Sequence, residues 1–240
     1  MGGPRGHVAF DLDGTLVDSV GVITEVLNGM IRDRGRGPDL AREVVRPHVT
    51  FGGLAMIQAL LGDDFGVPAE ALAEFRRRYA AAPTPQDSLY PGAREALDAL
   101  SGAGFCLSVV SNKPQELCEK VIADLGLIPV FTAVVGTGPA TPVKPDPTGF
   151  HRALQLCGAT RERTCLVGDS EADHALALEA EVPFVFATWG YGEALAAPAP
   201  FAVAHGLAEV PRLALDAMSR RTAAAPPDRP CGPSRVTVKG

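Results

Sequence analysis

Val8-Ala9-Phe10-Asp11-Leu12-Asp13-Gly14-Thr15-Leu16 is the stretch of this 240-residue chain whose reading decides the fold. An apolar run of strand length leads directly into two aspartates two residues apart, and a glycine then permits a sharp turn. A strand without polar alternation is covered on both faces, as in a parallel sheet with helices on either side. Two carboxylates at such a strand end attract a hard cation such as Mg2+, which prefers carboxylates, waters and phosphate oxygens. A carboxylate is also a known nucleophile, forming an aspartyl-phosphate in some phosphoryl-transfer enzymes, and the plainer alternative is an acidic turn that caps the following helix.

Working outward, comparable apolar runs lie at 7–10, 105–110, 130–135, 164–167, 182–186 and, more weakly, 201–204. Helical periods separate them: Ala93, Ala96, Leu97 and Leu100, then Leu117, Val121, Ile122 and Leu125, then Phe150, Ala153, Leu154 and Cys157. The alternation predicts an α/β fold, a parallel Rossmann-like sheet flanked by helices. Between Asp18 and about Leu89 the alternation stops and only helical stripes remain, among them Val20, Ile23, Leu27, Met30 and Ile31, and Ala71, Leu72, Phe75 and Tyr79. This predicts a small helical cap domain inserted after the first strand, over the strand ends where open α/β sheets bind ligands. The expected division is a core of residues 1–17 and 89–219, a cap of 18–88, and a disordered Pro- and Ala-rich tail of 220–240.

Composition narrows the partners. With 22 Lys+Arg against 28 Asp+Glu, the net charge of −6 argues against nucleic acid. Basic residues concentrate after Ser219, so the body is more acidic still and must meet an anionic substrate with local groups or a metal. Five cysteines at irregular spacings read as reduced thiols of a cytoplasmic protein. No apolar stretch reaches the roughly 20 residues that cross a bilayer, so no membrane partner is expected. Oligomeric state is left open.

Three further clusters fall at strand ends. Leu166-Val167-Gly168-Asp169-Ser170-Glu171-Ala172-Asp173 adds acids at the start of a helix, where a dipole alone would favour some of them. Next to Asp11 and Asp13, however, Asp169 makes a third carboxylate, and a shared cation explains three mutually repelling acids best. Val110-Ser111-Asn112-Lys113, read as strand end and helix start, is an anion site or an ordinary cap. Val143-Lys144-Pro145-Asp146-Pro147 holds a lysine between prolines, able to neutralise a phosphate as a point charge.

In combination and in this order, the four clusters resemble the haloacid dehalogenase-like hydrolase superfamily over about residues 8–192. Phe-Asp-Leu-Asp-Gly-Thr-Leu-Val-Asp-Ser, Ser-Asn-Lys-Pro, Lys-Pro-Asp-Pro, Val-Gly-Asp-Ser and Gly-Tyr-Gly (190–192) look most like its phosphoglycolate phosphatase group. The resemblance implies that Asp11 is the nucleophile that becomes aspartyl-phosphate and Asp13 the general acid/base. It implies that Ser111, Asn112 and Lys144 bind the phosphoryl group. Mg2+ would be held by Asp11, the backbone carbonyl of Asp13 and Asp169, with Asp173 supporting it. The loop at 136–142 departs from close relatives in lacking an acidic residue.

The expected activity is therefore Mg2+-dependent hydrolysis of a small phosphomonoester, with 2-phosphoglycolate the leading substrate. A sugar-phosphate phosphatase or phosphomutase of the same superfamily is the alternative, and a non-enzymatic phosphoester-binding regulator the alternative from another class. Selectivity falls to the cap, through the loop Arg46-Pro47-His48-Val49-Thr50-Phe51-Gly52-Gly53, whose glycines let backbone approach a ligand. Arg46 is read either as the partner of a substrate carboxylate or as one of the solvated arginines of this cap. Arg76-Arg77-Arg78 reads as a solvated helix face.

Overall fold

A computed structural model describes residues 4–35, 37–62, 65–193, 195 and 197–224. Six parallel strands form one sheet: β1 (Gly6–Phe10), β2 (Phe105–Pro114), β3 (Ala133–Thr137), β4 (Thr164–Gly168), β5 (Phe184–Ala187) and β6 (Ala202–Ala204). Their order is β3-β2-β1-β4-β5-β6, so the winding direction reverses beside β1, between it and β4. Every residue of β1 and β4 is buried, which explains the absence of polar alternation in their sequences.

Helices α1 (Val20–Arg34), α2 (Arg42–Val45), α3 (Gly53–Leu61) and α4 (Pro68–Ala81) come from the segment after β1, with a 3-10 turn at Arg46–Phe51. The sheet is then flanked by α5 (Ala93–Gly102), α6 (Gln115–Asp124), α7 (Thr148–Leu156), α8 (Glu171–Glu179) and α9 (Val210–Ala224). The helical insert leaves and re-enters the core through two paired crossings. Asp18 N–H donates to Ser88 O at 2.7 Å, and Tyr90 N–H to Leu16 O at 3.0 Å. Lys120 of α6 secures the return crossing through Ala82 O and Thr84 Oγ1. Helix α9 continues through Ala224, so residues 220–224 of the expected tail are helical; the remainder of that segment, with Cys231, lies outside the described residues.

Two of the sequence boundaries shift. β2 does not stop at Val110 but runs on to Pro114, with a register irregularity against β3 between those residues. Ser111, Asn112 and Lys113 therefore lie on an irregular strand end, and α6 begins only at Gln115. The third run starts as strand at Ala133 rather than Val130.

His7 is an imidazole inside this sheet, fully buried on β1 between the polar side chains of Ser108 and Thr164. The Thr164 hydroxyl donates to Thr160 O at 2.7 Å, so its oxygen accepts from His7 Nδ1–H at 3.2 Å. Nε2 then accepts from the Ser108 hydroxyl at 2.8 Å. A neutral ring satisfies both partners, whereas a second ring proton would face an occupied hydroxyl. Burial accordingly pushes the imidazole down from 6.5 to about 4. Between those values the unfolded chain takes a proton that the folded one refuses, so stability is full above pH 6.5 and falls as pH drops toward 4. The whole loss amounts to about 3 kcal/mol. His7→Gln keeps polar partners but cannot titrate, and its melting temperature should fall less steeply from pH 6.5 to 4 than the wild type's. Parallel curves would contradict this assignment.

Candidate active site

Asp11 follows β1 directly, and its N–H donates to Val167 O of β4 at 2.9 Å, which ties the two strand ends together. The chain then turns at Gly14, whose φ of +87° favours glycine. Asp169 follows β4, and Asp173 lies in the first turn of α8. All three carboxylates are buried, and one oxygen from each lies within 4.8 Å of the others. They meet beyond the carboxyl ends of β1 and β4, at the reversal of strand order, where open α/β sheets bind ligands.

Lys144 reaches into this cluster. Its Nζ donates to Asp11 Oδ1 at 2.7 Å, Asp173 Oδ1 at 2.6 Å and Val110 O at 3.2 Å, so all three ammonium protons are used. Its backbone N–H donates to Asn112 Oδ1 at 2.6 Å. Asn112 thus holds the lysine loop in place through its Oδ1. Asp173 is fixed by a capping box, its Oδ2 accepting from Ser170 N and Oγ. Asp169 accepts from the Thr15 hydroxyl at 2.9 Å and from Tyr191 N–H at 2.7 Å.

The glycines flanking Asp169 have a steric reason. A Cβ at Gly14 or Gly190 would overlap the Asp169 side chain, and one at Gly192 would overlap its backbone carbonyl. The Gly-Tyr-Gly at 190–192 is therefore a backbone cradle for one carboxylate. Tyr191 between them extends to the point where the chain leaves the core for the helical insert, where its hydroxyl accepts from Ser19 N–H at 2.7 Å and donates to Asp18 Oδ1 at 3.0 Å.

One ammonium does not compensate three buried carboxylates. Burial pushes the Asp11 carboxyl up to about 8; the charges of Asp173 and Asp169 add to this, while Lys144 opposes it. Asp169 is pushed up to about 6 by burial and by Asp173. Lys144 itself is raised, because its two carboxylate partners outweigh the cost of burying the ammonium, so the lysine remains the charged member. The surplus negative potential and the hard oxygen donors suit a divalent cation. One oxygen from each of the three buried carboxylates lies within 4.8 Å of the others, and this donor set of hard oxygens is the chemistry such a cation takes. Asp173, with both oxygens engaged by Lys144 and Ser170, is the least available of the three.

Asp13 stands outside the triad. Its Oδ2 pairs with Lys113 Nζ at 2.8 Å, and its Oδ1 is buried with no hydrogen-bond partner. Lys113 also lies over the Tyr79 ring, 4.6 Å from its centroid, which links the strand end to α4 of the insert. Ser111 is buried, and its Oγ accepts from Lys113 N–H at 3.3 Å. Asp11, Asp13, Ser111, Asn112, Lys144 and Asp169 all line one cleft, closed from above by α3, α4 and the loop that ends at Gly53. Its empty volume of about 880 Å³, open mouth included, suits a small molecule.

From that loop, Val49, Thr50, Gly52 and Gly53 line the cleft but Arg46 does not. The Arg46 guanidinium donates to the carbonyls of Trp189 and Gly190 and lies 5.0 Å from the Tyr191 ring centroid. These carbonyls and the aromatic face draw it to the 189–191 loop, where it clamps the cradle of Asp169. Arg46 is corrected from a cleft residue to a clamp. Arg76, on α4, is the arginine of the helical insert that lines the cleft. The signal was present in the sequence, because Arg76 stands four residues after Leu72 and three before Tyr79, on the apolar face of α4.

The haloacid dehalogenase-like hydrolase family matches residues 6–180. The chain belongs to it. It is 33% identical over 184 residues to a phosphoglycolate phosphatase of Aquifex aeolicus, covering 77% of this chain and 85% of the relative. It is 35% identical over 193 residues to a phosphoglycolate phosphatase of Rhodospirillum rubrum, covering 77% and 80%. A solved haloacid dehalogenase-like hydrolase of Streptococcus pneumoniae superposes with a TM-score of 0.72 at 25% identity, covering 85% of this chain and 96% of the other. This haloacid dehalogenase-like hydrolase is thus a phosphoric monoester hydrolase of the phosphoglycolate phosphatase-like group. Among its described residues no helix is long and apolar enough to cross a membrane.

Proposed function

We propose that the protein is a Mg2+-dependent phosphatase that hydrolyses 2-phosphoglycolate to glycolate and phosphate through an aspartyl-phosphate at Asp11. Residues 18–88 act as its cap and residues 1–17 and 89–219 as its catalytic core. The observation that carries the reading is the pairing of a lysine-held, buried Asp11 with Asp13, whose Oδ1 is buried without a partner in the same cleft. The names of the curated relatives supply the substrate.

In this mechanism the Asp11 oxygen not bound by Lys144 attacks phosphorus in line with the leaving alcohol. Asp13 gives its proton to the departing oxygen and then takes one from the water that hydrolyses the acyl phosphate. Lys144 offsets charge on the transferring group, and the Ser111 hydroxyl donates to one of its oxygens. Mg2+ held by Asp11, the Asp13 carbonyl and Asp169, with Asp173 behind, would supply further positive charge for the phosphoryl oxygens. The cap excludes bulk water and holds the leaving group.

A panel of phosphomonoesters assayed with Mg2+ and with a chelator tests this directly. Activity should vanish in chelator, return with Mg2+ and fall with excess Ca2+, whose longer bonds and higher coordination number disturb in-line attack. 2-Phosphoglycolate should have the highest kcat/KM. Preference for a hexose phosphate would move the assignment to the sugar-phosphate branch, and full activity in chelator would remove the metal.

A further inference from the structure

We propose that Arg76, with the Tyr79 phenol one turn further along α4, is the cap's receptor for a carboxylate on the leaving alcohol. This deepens the phosphoglycolate reading and rests on it. The argument begins with α4. Leu72, Phe75, Arg76 and Tyr79 share one face of the helix, and all four line the cleft above Asp11 and Asp13. Among the cations of that lining, Lys144 is bound to Asp11 and Asp173, and Lys113 to Asp13. Arg76 forms no ion pair with a carboxylate among the described residues, and it is exposed, lining both this cleft and the open groove beside it. Its neighbour Arg78 shows the other outcome, being paired with Asp33 at 2.7 Å and Glu74 at 2.6 Å.

Tyr79 provides an independent sign of a polar ligand. Its side chain is buried, its ring carries Lys113 on one face, and its hydroxyl is buried with no hydrogen-bond partner. A buried phenol normally finds a partner, and one left without it carries a desolvation penalty that a bound acceptor would relieve. Lys113 links the Tyr79 ring to Asp13, so this tyrosine stands on the side of the cleft that holds the acid serving the leaving oxygen. In 2-phosphoglycolate a single methylene separates the leaving oxygen from the carboxylate. A receptor for that carboxylate must therefore be next to Asp13 and must present donors rather than acceptors. The guanidinium fork and the phenol meet this requirement from one helix face.

The test compares 2-phosphoglycolate with 2-hydroxyethyl phosphate, in which a neutral hydroxymethyl group replaces the carboxylate. Wild type should prefer the carboxylate by its kcat/KM ratio, and Arg76→Gln should shrink that ratio by about 10- to 100-fold, as loss of a charge-assisted pair implies. Arg76→Lys should recover part of the ratio, since charge is kept but the fork is lost. Tyr79→Phe should lower kcat/KM for 2-phosphoglycolate without lowering the melting temperature, because it deletes a hydroxyl that the free protein leaves unbonded. If wild type prefers the carboxylate and Arg76→Gln preserves the full ratio, the Arg76 assignment is overturned while the phosphoglycolate reading stands. If wild type shows no preference for the carboxylate, the underlying substrate reading fails and the assignment with it. A fall in the Tyr79→Phe melting temperature with unchanged kinetics would make the phenol structural and remove it from the receptor.

Discussion

Asp11→Asn is expected to lower turnover of every phosphomonoester by at least about a thousandfold, the scale seen when a nucleophile is removed from an intact site. The amide keeps the shape of the carboxylate but cannot attack phosphorus. It also keeps an oxygen that accepts from Lys144, so the lysine stays in place. Stability should change little, because burial already disfavours an ionised carboxylate at this position and holds its carboxyl at about 8. The melting temperature should therefore remain within a few degrees of wild type while activity disappears. Residual activity above about a thousandth would mean that water attacks the substrate directly, with Asp11 only a ligand or base.

Lys144→Ala should be damaging in a different way, lowering stability and activity together. It strips the ammonium from Asp11 and Asp173, both buried, and breaking a buried pair from one side costs about 3–5 kcal/mol. For a chain of this size that corresponds to a fall of about 6–20 °C in melting temperature, measured in chelator. Two treatments should repair part of the loss. Mg2+ should raise the variant's melting temperature more than the wild type's, because a cation then becomes the only compensation for the cluster. Acidification should also help. Asp11 and Asp169 have folded values raised above 3.8, so their favourable contribution is present at low pH and is lost as pH rises toward about 6 and about 8. Without Lys144 that dependence should steepen. Catalysis should not be repaired by either treatment, since the phosphoryl group loses its lysine. A variant as stable as wild type in chelator, or one indifferent to Mg2+, would contradict the charge balance described for the cluster.

The central parts of this site were legible because they depend on local patterns. Asp11 and Asp169 each end an apolar run, and a buried parallel strand announces itself by unbroken apolar residues. Helical stripes between Asp18 and Leu89 disclosed the insert for the same reason. What escaped was decided by tertiary partners. Nothing local says that β2 continues past Val110, because its irregular end is set by pairing with β3. Arg46 and Arg76 are equally basic in sequence; the carbonyls of Trp189 and Gly190, more than 140 residues away in the chain, hold one and leave the other in the cleft. The Lys113 pair with Asp13 likewise joins two strand ends about a hundred residues apart. The function of Gly190 and Gly192 becomes visible only once Asp169 is packed against them.

Covalent catalysis at Asp11 is the claim on which the rest depends, and trapping the acyl phosphate tests it most directly. Enzyme mixed with saturating 2-phosphoglycolate and Mg2+ is quenched in acid during steady turnover, and the precipitate is reduced with borohydride. An aspartyl-phosphate is converted to homoserine, so the peptide bearing Asp11 should show that change by mass spectrometry, and the Asp11→Asn protein should not. Unmodified Asp11 in enzyme quenched while it is turning over, with homoserine absent or found at Asp13 or Asp169 instead, would contradict the account.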